Sequence, residues 1–238
     1  MRQGSCIVTL VLLIAGAADA DAWTVRYTNA ATNALTAEEK ATVERIAAET
    51  EAEARRHLTN LSRNLILIVD VGRNVVEETG ESGVASSPTL IRWYVDHRRP
   101  GGAGPIIEAS LRSTLLQLSH HVVREWVSSG VDSATSFWDT IVAEGLANAF
   151  AREVSGTPAP WADYPGEVTA WLAELRMMSE AELGASFNLW LSELPDGRRF
   201  AAYKVGTYLA DQARQNSGRS FDQLSTLPTG DVLQLAGF

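Results

Sequence analysis

The stretch "LRSTLLQLSHHVVREW", residues 111–126, decides how the rest of the chain reads. Leu111, Leu115, Leu118, Val122 and Trp126 are spaced 4, 3, 4 and 4. That spacing lays one apolar stripe along a helix and asks for a neighbour to bury it. Two adjacent histidines, His120 and His121, sit on the same helix, and Arg124 follows one turn later. A helix that binds zinc for hydrolysis carries two imidazoles one turn apart, so that both face one ion. A carboxylate beside the first imidazole takes a proton from metal-bound water. Here the residues one turn before His121 are Gln117 and Leu118, and the pattern breaks there.

Outward from this helix the chain has two halves. After Pro105 the pattern is helical: 106–129, then 137–154 closed by "SGTPAPW", then 167–179, 182–191 and 200–216. A short turn and a short helix finish it. Before Pro105, "NLILIVDVG" (64–72) is a β-branched apolar run closed by glycine, and "TLIRWYVD" (89–96) alternates. Both read as strands. Between them "ETGESGVASSP" (78–88) reads as a flexible loop, and "RRPGGAGP" (98–105) as a break. Thr36 and Glu39 form a capping box that opens a long polar helix over 37–62. Its sparse apolar positions place it on the surface. Residues 23–35 are polar and turn-rich, with room for a short leading strand. The layout is an α+β fold, a small N-terminal sheet packed on a mainly helical lobe.

Composition narrows the function. A net charge of −9, with arginine pairs scattered at Arg55-Arg56, Arg98-Arg99 and Arg198-Arg199, argues against nucleic acid or an anionic membrane as partner. The opening "MRQGSC" is a short charged region. The twelve apolar residues "IVTLVLLIAGAA" are too few to span a bilayer comfortably, and "ADADA" supplies small residues for cleavage after Ala20 or Ala22. Residues 1–22 therefore read as a signal peptide, with export to a periplasm or the medium and no other membrane contact; an uncleaved anchor is the rival. Cys6, the only cysteine, precedes the apolar run, so it is not placed for lipid attachment. The mature chain would depend on packing rather than disulfides. Residues 23–63 read as an N-terminal extension and 64–238 as the main domain. No G-x-S-x-G, phosphate-binding loop or dinucleotide fingerprint occurs.

Four segments share an order: "GESGVASSPTLIRWYVD", "LRSTLLQLSHHVVREW", "AEGLANAFAREV" and "AAYKVGTYLA". In that order they resemble a bacterial family of predicted Zn-dependent proteases. Its members carry a G-x-x-G segment, a helix L-x-x-T-L-x-H-E-x-x-H-x-x-R, an E-G-L-A helix and a late Y-x-x-G-Y helix. The resemblance runs from about residue 65 to the end of the chain and implies a zincin-like, gluzincin lobe.

Aligned on Leu111, Arg112, Thr114 and Leu115 and on Val122, Val123 and Arg124, the resemblance sets the family's first metal histidine at Gln117. Its general-base glutamate falls on Leu118, its second metal histidine on His121 and its third ligand on Glu144. His120 takes a variable position, and Tyr203 is a candidate oxyanion helper. The remnant metal set is thus His121 and Glu144, with Gln117 at the lost ligand and His120 as a candidate substitute. A neutral amide is a poor zinc ligand beside imidazole, and leucine accepts no proton. The expectation is an exported pseudopeptidase that needs no cofactor, or zinc if the site works, and that holds a peptide or protein in its cleft. The alternatives are an active zinc metalloprotease using His120, His121 and Glu144, and a plain structural protein. Residue by residue, His121 also reads as a buried histidine bonded to Glu144 or to a carbonyl, and His120 as a partly exposed polar position. Arg124 is a candidate ion-pair partner for Glu144 or for a terminal acid. Tyr203, Gly206 and Tyr208 read as aromatic packing around a close helix approach.

Overall fold

The computed structural model describes residues 22–127 and 136–238. Residues 1–21, nearly all of the expected signal peptide and with them Cys6, and the end of the expected 106–129 helix lie outside the described residues.

Among the described residues four strands form one sheet: β1 (Thr24–Tyr27), β2 (Ile66–Val71), β3 (Glu81–Ser87) and β4 (Leu90–Val95). Their order is β1-β2-β4-β3, with β1 and β4 parallel to β2 and β3 antiparallel to β4. The two expected strands are β2 and β4. Both alternate buried and half-buried residues, which puts Leu67, Val69, Ile91, Trp93 and Val95 in the core. The polar stretch expected as a loop at 78–88 instead contains β3. Its composition hides it, because "ESGVASS" has one β-branched residue. What makes it a strand is tertiary: pairing with β4 from Glu81↔Val95 to Ser87↔Leu90 satisfies its backbone. β3 closes the sheet on that side and is an edge strand.

The helices before the site are α1 (Asn29–Ala34) and α2 (Ala37–His57). α1 had no sequence signal beyond Thr28, whose hydroxyl caps it by accepting from Ala31 N. α2 ends at His57, five residues short of expectation. Its surface placement holds for one face; Val43, Ile46, Ala47 and Ala54 on the other are buried. The expected capping box is present, and it does more than cap α2. Glu39 Oε2 accepts from Thr36 N at 2.8 Å, while Oε1 accepts from Ala103 N at 3.1 Å and Gly104 N at 3.0 Å. One carboxylate thus serves the N-termini of α2 and of the next helix, α3 (Gly104–Val127).

α3 carries the opening stretch. Leu111, Leu115, Leu118 and Val122 are all buried, as the stripe requires. Behind it come α4 (Phe137–Ser155), α5 (Val168–Met177), α6 (Glu180–Leu191), α7 (Ala201–Ser217), α8 (Phe221–Ser225) and α9 (Thr229–Leu235). α4 and α7 meet at two glycines. A Cβ on Gly145 would lie 2.0 Å from the Gly206 carbonyl carbon, and one on Gly206 would lie 2.2 Å from Ile141 O. Only glycine at both positions permits this approach. Buried Arg124 donates to Leu227 O at 3.0 Å and Thr229 Oγ1 at 3.1 Å, pinning the C-terminal segment to α3. Its described bonds therefore run to the chain end rather than to Glu144.

Candidate functional site

A cleft with a cavity of about 270 Å³ lies between the edge strand and the helices. β3 contributes Glu81 to Ala85, α3 contributes Thr114, Gln117, Leu118 and His121, and α4 contributes Glu144. Trp161, Phe200 and Tyr203 form the remaining wall with Val76.

Gln117 and His121 are four residues apart, so both face α4 from adjacent turns of α3. Gln117 Nε2 donates to Glu144 Oε2 at 3.2 Å, and His121 Nε2 lies 3.1 Å from the same oxygen. The three positions singled out from sequence therefore converge. The expectation that His121 pairs with Glu144 holds. Tyr203 is close enough for the Glu144 charge to be the main cause raising its hydroxyl pKa, with burial second.

Leu118 is 4% exposed and fills the space over β3. His120 departs from its expected half-exposed position: it is fully buried, tilted against Phe150 with ring centroids 5.6 Å apart, and it does not line the cleft. Adjacent helical residues point about 100° apart, so when His121 faces the cleft His120 must face elsewhere. Burial, and then the charges of His121 and Arg124, hold its ring well below the ordinary imidazole pKa. Neither ring nitrogen has a hydrogen-bond partner among the described residues, which suits a neutral ring.

One cleft residue gave no sequence signal. Glu81 sits in a polar stretch that reads as solvated, yet it is 2% exposed. Trp93 Nε1 donates to its Oε2 at 2.6 Å and Thr114 Oγ1 to its Oε1 at 3.0 Å. The carboxyl thus ties the edge strand to β4 and to α3. Burial pushes its pKa up, and the two donors partly offset this.

A family model described as Predicted Zn-dependent protease (DUF2268) matches residues 43–234. The chain belongs to the predicted Zn-dependent protease family. No curated protein and no solved structure matches it. The family implies zinc, and the residues can be tested against that ion. A catalytic zinc needs three protein ligands and a carboxylate near its water. The resemblance aligns His121 with the family's second histidine and Glu144 with its glutamate. The first ligand is an amide whose nitrogen is turned toward Glu144, and the base position is leucine. Among the described residues no group of three His, Cys, Asp or Glu side chains could hold a metal. The donor set does not fit a catalytic zinc centre.

Proposed function

We propose that this protein is a non-catalytic member of its family, an exported pseudopeptidase that holds a peptide or protein segment in its cleft. The observation that carries the reading is the pair at the break in the motif. Gln117 supplies an amide where an imidazole is needed, and Leu118 supplies packing where a proton acceptor is needed. Glu81 does not replace the base, because both of its oxygens are engaged by Trp93 and Thr114 in a buried setting. The rival arrangement through His120 would need that ring in the cleft, and it lies against Phe150.

What remains favours binding. β3 is an edge strand, and Gly83, Val84 and Ser86 are exposed along it. An extended peptide can add to such an edge through main-chain hydrogen bonds, with side chains entering the adjacent pocket. The N-terminal pattern supports export with residues 1–22 removed. The test is to incubate the mature protein with a digest of an unstructured protein, with and without added zinc, and to separate bound from free peptides. Retained peptides with unchanged termini are expected. Turnover that a chelator stops, or no retained peptide, would overturn the reading.

A further inference from the structure

The cleft wall opposite β3 is made of three aromatic rings. Trp161 and Phe200 have centroids 5.4 Å apart, Phe200 and Tyr203 6.3 Å, and Trp161 and Tyr203 6.4 Å. They form one continuous surface. The Trp161 indole N–H is buried without a partner among the described residues, and the residue lines the cavity. Phe200 is held with φ 56° and ψ 33°, in the left-handed region that large side chains avoid. Such a conformation persists only where the surroundings hold it. Phe200 N donates to Ser192 O at 2.7 Å, and the Arg199 guanidinium lies 5.2 Å from the ring centroid. The ring already accepts a cation there, outside the cleft.

The cavity lining carries two carboxyls, Glu81 and Glu144, and one imidazole, that of His121, which already lies against Glu144 Oε2. It includes no lysine or arginine. Both described contacts of Glu144 fall on Oε2, and Oε1 has no partner among the described residues. An aromatic wall ending at a carboxylate with an open oxygen suits a long cationic side chain. The stem and head lie over the rings, and the charge pairs with the acid.

Resting on the peptide-binding reading above, we propose that the cleft takes a lysine or arginine side chain of the bound peptide, with its aliphatic stem along Trp161 and Phe200 and its cationic head between Tyr203 and Glu144 Oε1. A neutral chain of the same length would keep the wall contacts and lose the pairing. An acidic one would meet Glu144 head-on.

The experiment uses the mature protein and matched peptides, acetylated and amidated, that differ at one central residue: arginine, lysine, norleucine, citrulline or glutamate. Dissociation constants are measured by calorimetry. The arginine and lysine peptides should bind about tenfold or more tighter than norleucine and citrulline, and the glutamate peptide weakest. Glu144→Gln should erase that preference. Equal affinity across the series would overturn the cation subsite and leave peptide binding intact. No binding by any member would overturn both. The wild-type comparison alone decides the matter if Glu144→Gln fails to fold.

Discussion

A methyl group at the Gly83 Cβ position would lie 2.5 Å from Leu118 Cδ1. The edge strand and the site helix therefore meet at Leu118, the position that the resemblance aligns with the family's general base. Leu118 has become part of the packing between β3 and α3. Its side chain closes the floor of the cleft, and the lack of a side chain at Gly83 makes room for it.

Restoring the motif should restore the chemistry in two separable steps. Gln117→His alone should give saturable zinc binding at one ion per chain. Adding Leu118→Glu should raise peptide hydrolysis over that single variant by about 10²–10⁴, the usual contribution of a general base. Leu118→Glu alone should cost about 2–3 kcal/mol in urea unfolding, since it trades buried leucine contacts for a charge without a metal. A double variant that still ignores zinc would mean that the register placing Gln117 and Leu118 is wrong.

The helix approach that sets Glu144 beside Tyr203 should not tolerate a methyl group. Gly145→Ala places a carbon 2.0 Å from backbone of Gly206. Backbone cannot rotate away as a side-chain end can, so α4 and α7 must part. A loss of about 3 kcal/mol or more is expected, read by thermal unfolding. A near-neutral result would contradict the tight crossing.

Glu81 should give stability a pH signature. Burial raises its folded-state pKa above the ordinary 4.5. The folded chain then holds that proton more tightly than the unfolded chain does. The contribution is complete below the ordinary value and is lost as pH rises through the raised one. Glu81→Gln keeps an acceptor for Trp93 and removes the titration. Urea midpoints of the variant should therefore gain on wild type as pH is raised from about 4 toward 8. Parallel curves would contradict a buried, raised carboxyl.

The aromatic wall depends on a second anchor away from the cleft. Arg152 reaches Asp211 Oδ1 and Oδ2 at 2.7 Å, and Tyr164 Oη donates to Asp211 Oδ2 at 2.9 Å. Arg152 also donates to Ala162 O at 3.0 Å, next to Trp161. Asp211→Asn should cost about 1–2 kcal/mol, because a neutral amide replaces a partly buried charge pair. It should also shift Trp161 fluorescence. An unchanged emission spectrum would detach this anchor from the cleft.

What the sequence made legible follows from where its signals are local. The stripe through Leu111, Leu115, Leu118 and Val122 fixes α3 by its period, and Thr36 with Glu39 fixes the start of α2. Gln117, His121 and Glu144 could be placed together because a helical turn relates the first two and the resemblance supplies the third. β3 was hidden because its strand character comes from β4, not from its own serines and glycines. Glu81 was hidden with it, since nothing in "ETGESG" says that one acid turns inward to meet Trp93 and Thr114. His120 was misplaced because its burial depends on Phe150, thirty positions on. Phe200 and Trp161 come together only through the fold.

The most direct measurement is a zinc titration of the protein, purified without chelator and followed with a competing chromophoric indicator. The donor set of one imidazole, one carboxylate and one amide predicts only weak binding that does not saturate near one ion per chain. Tight binding of one zinc ion per chain would contradict the account.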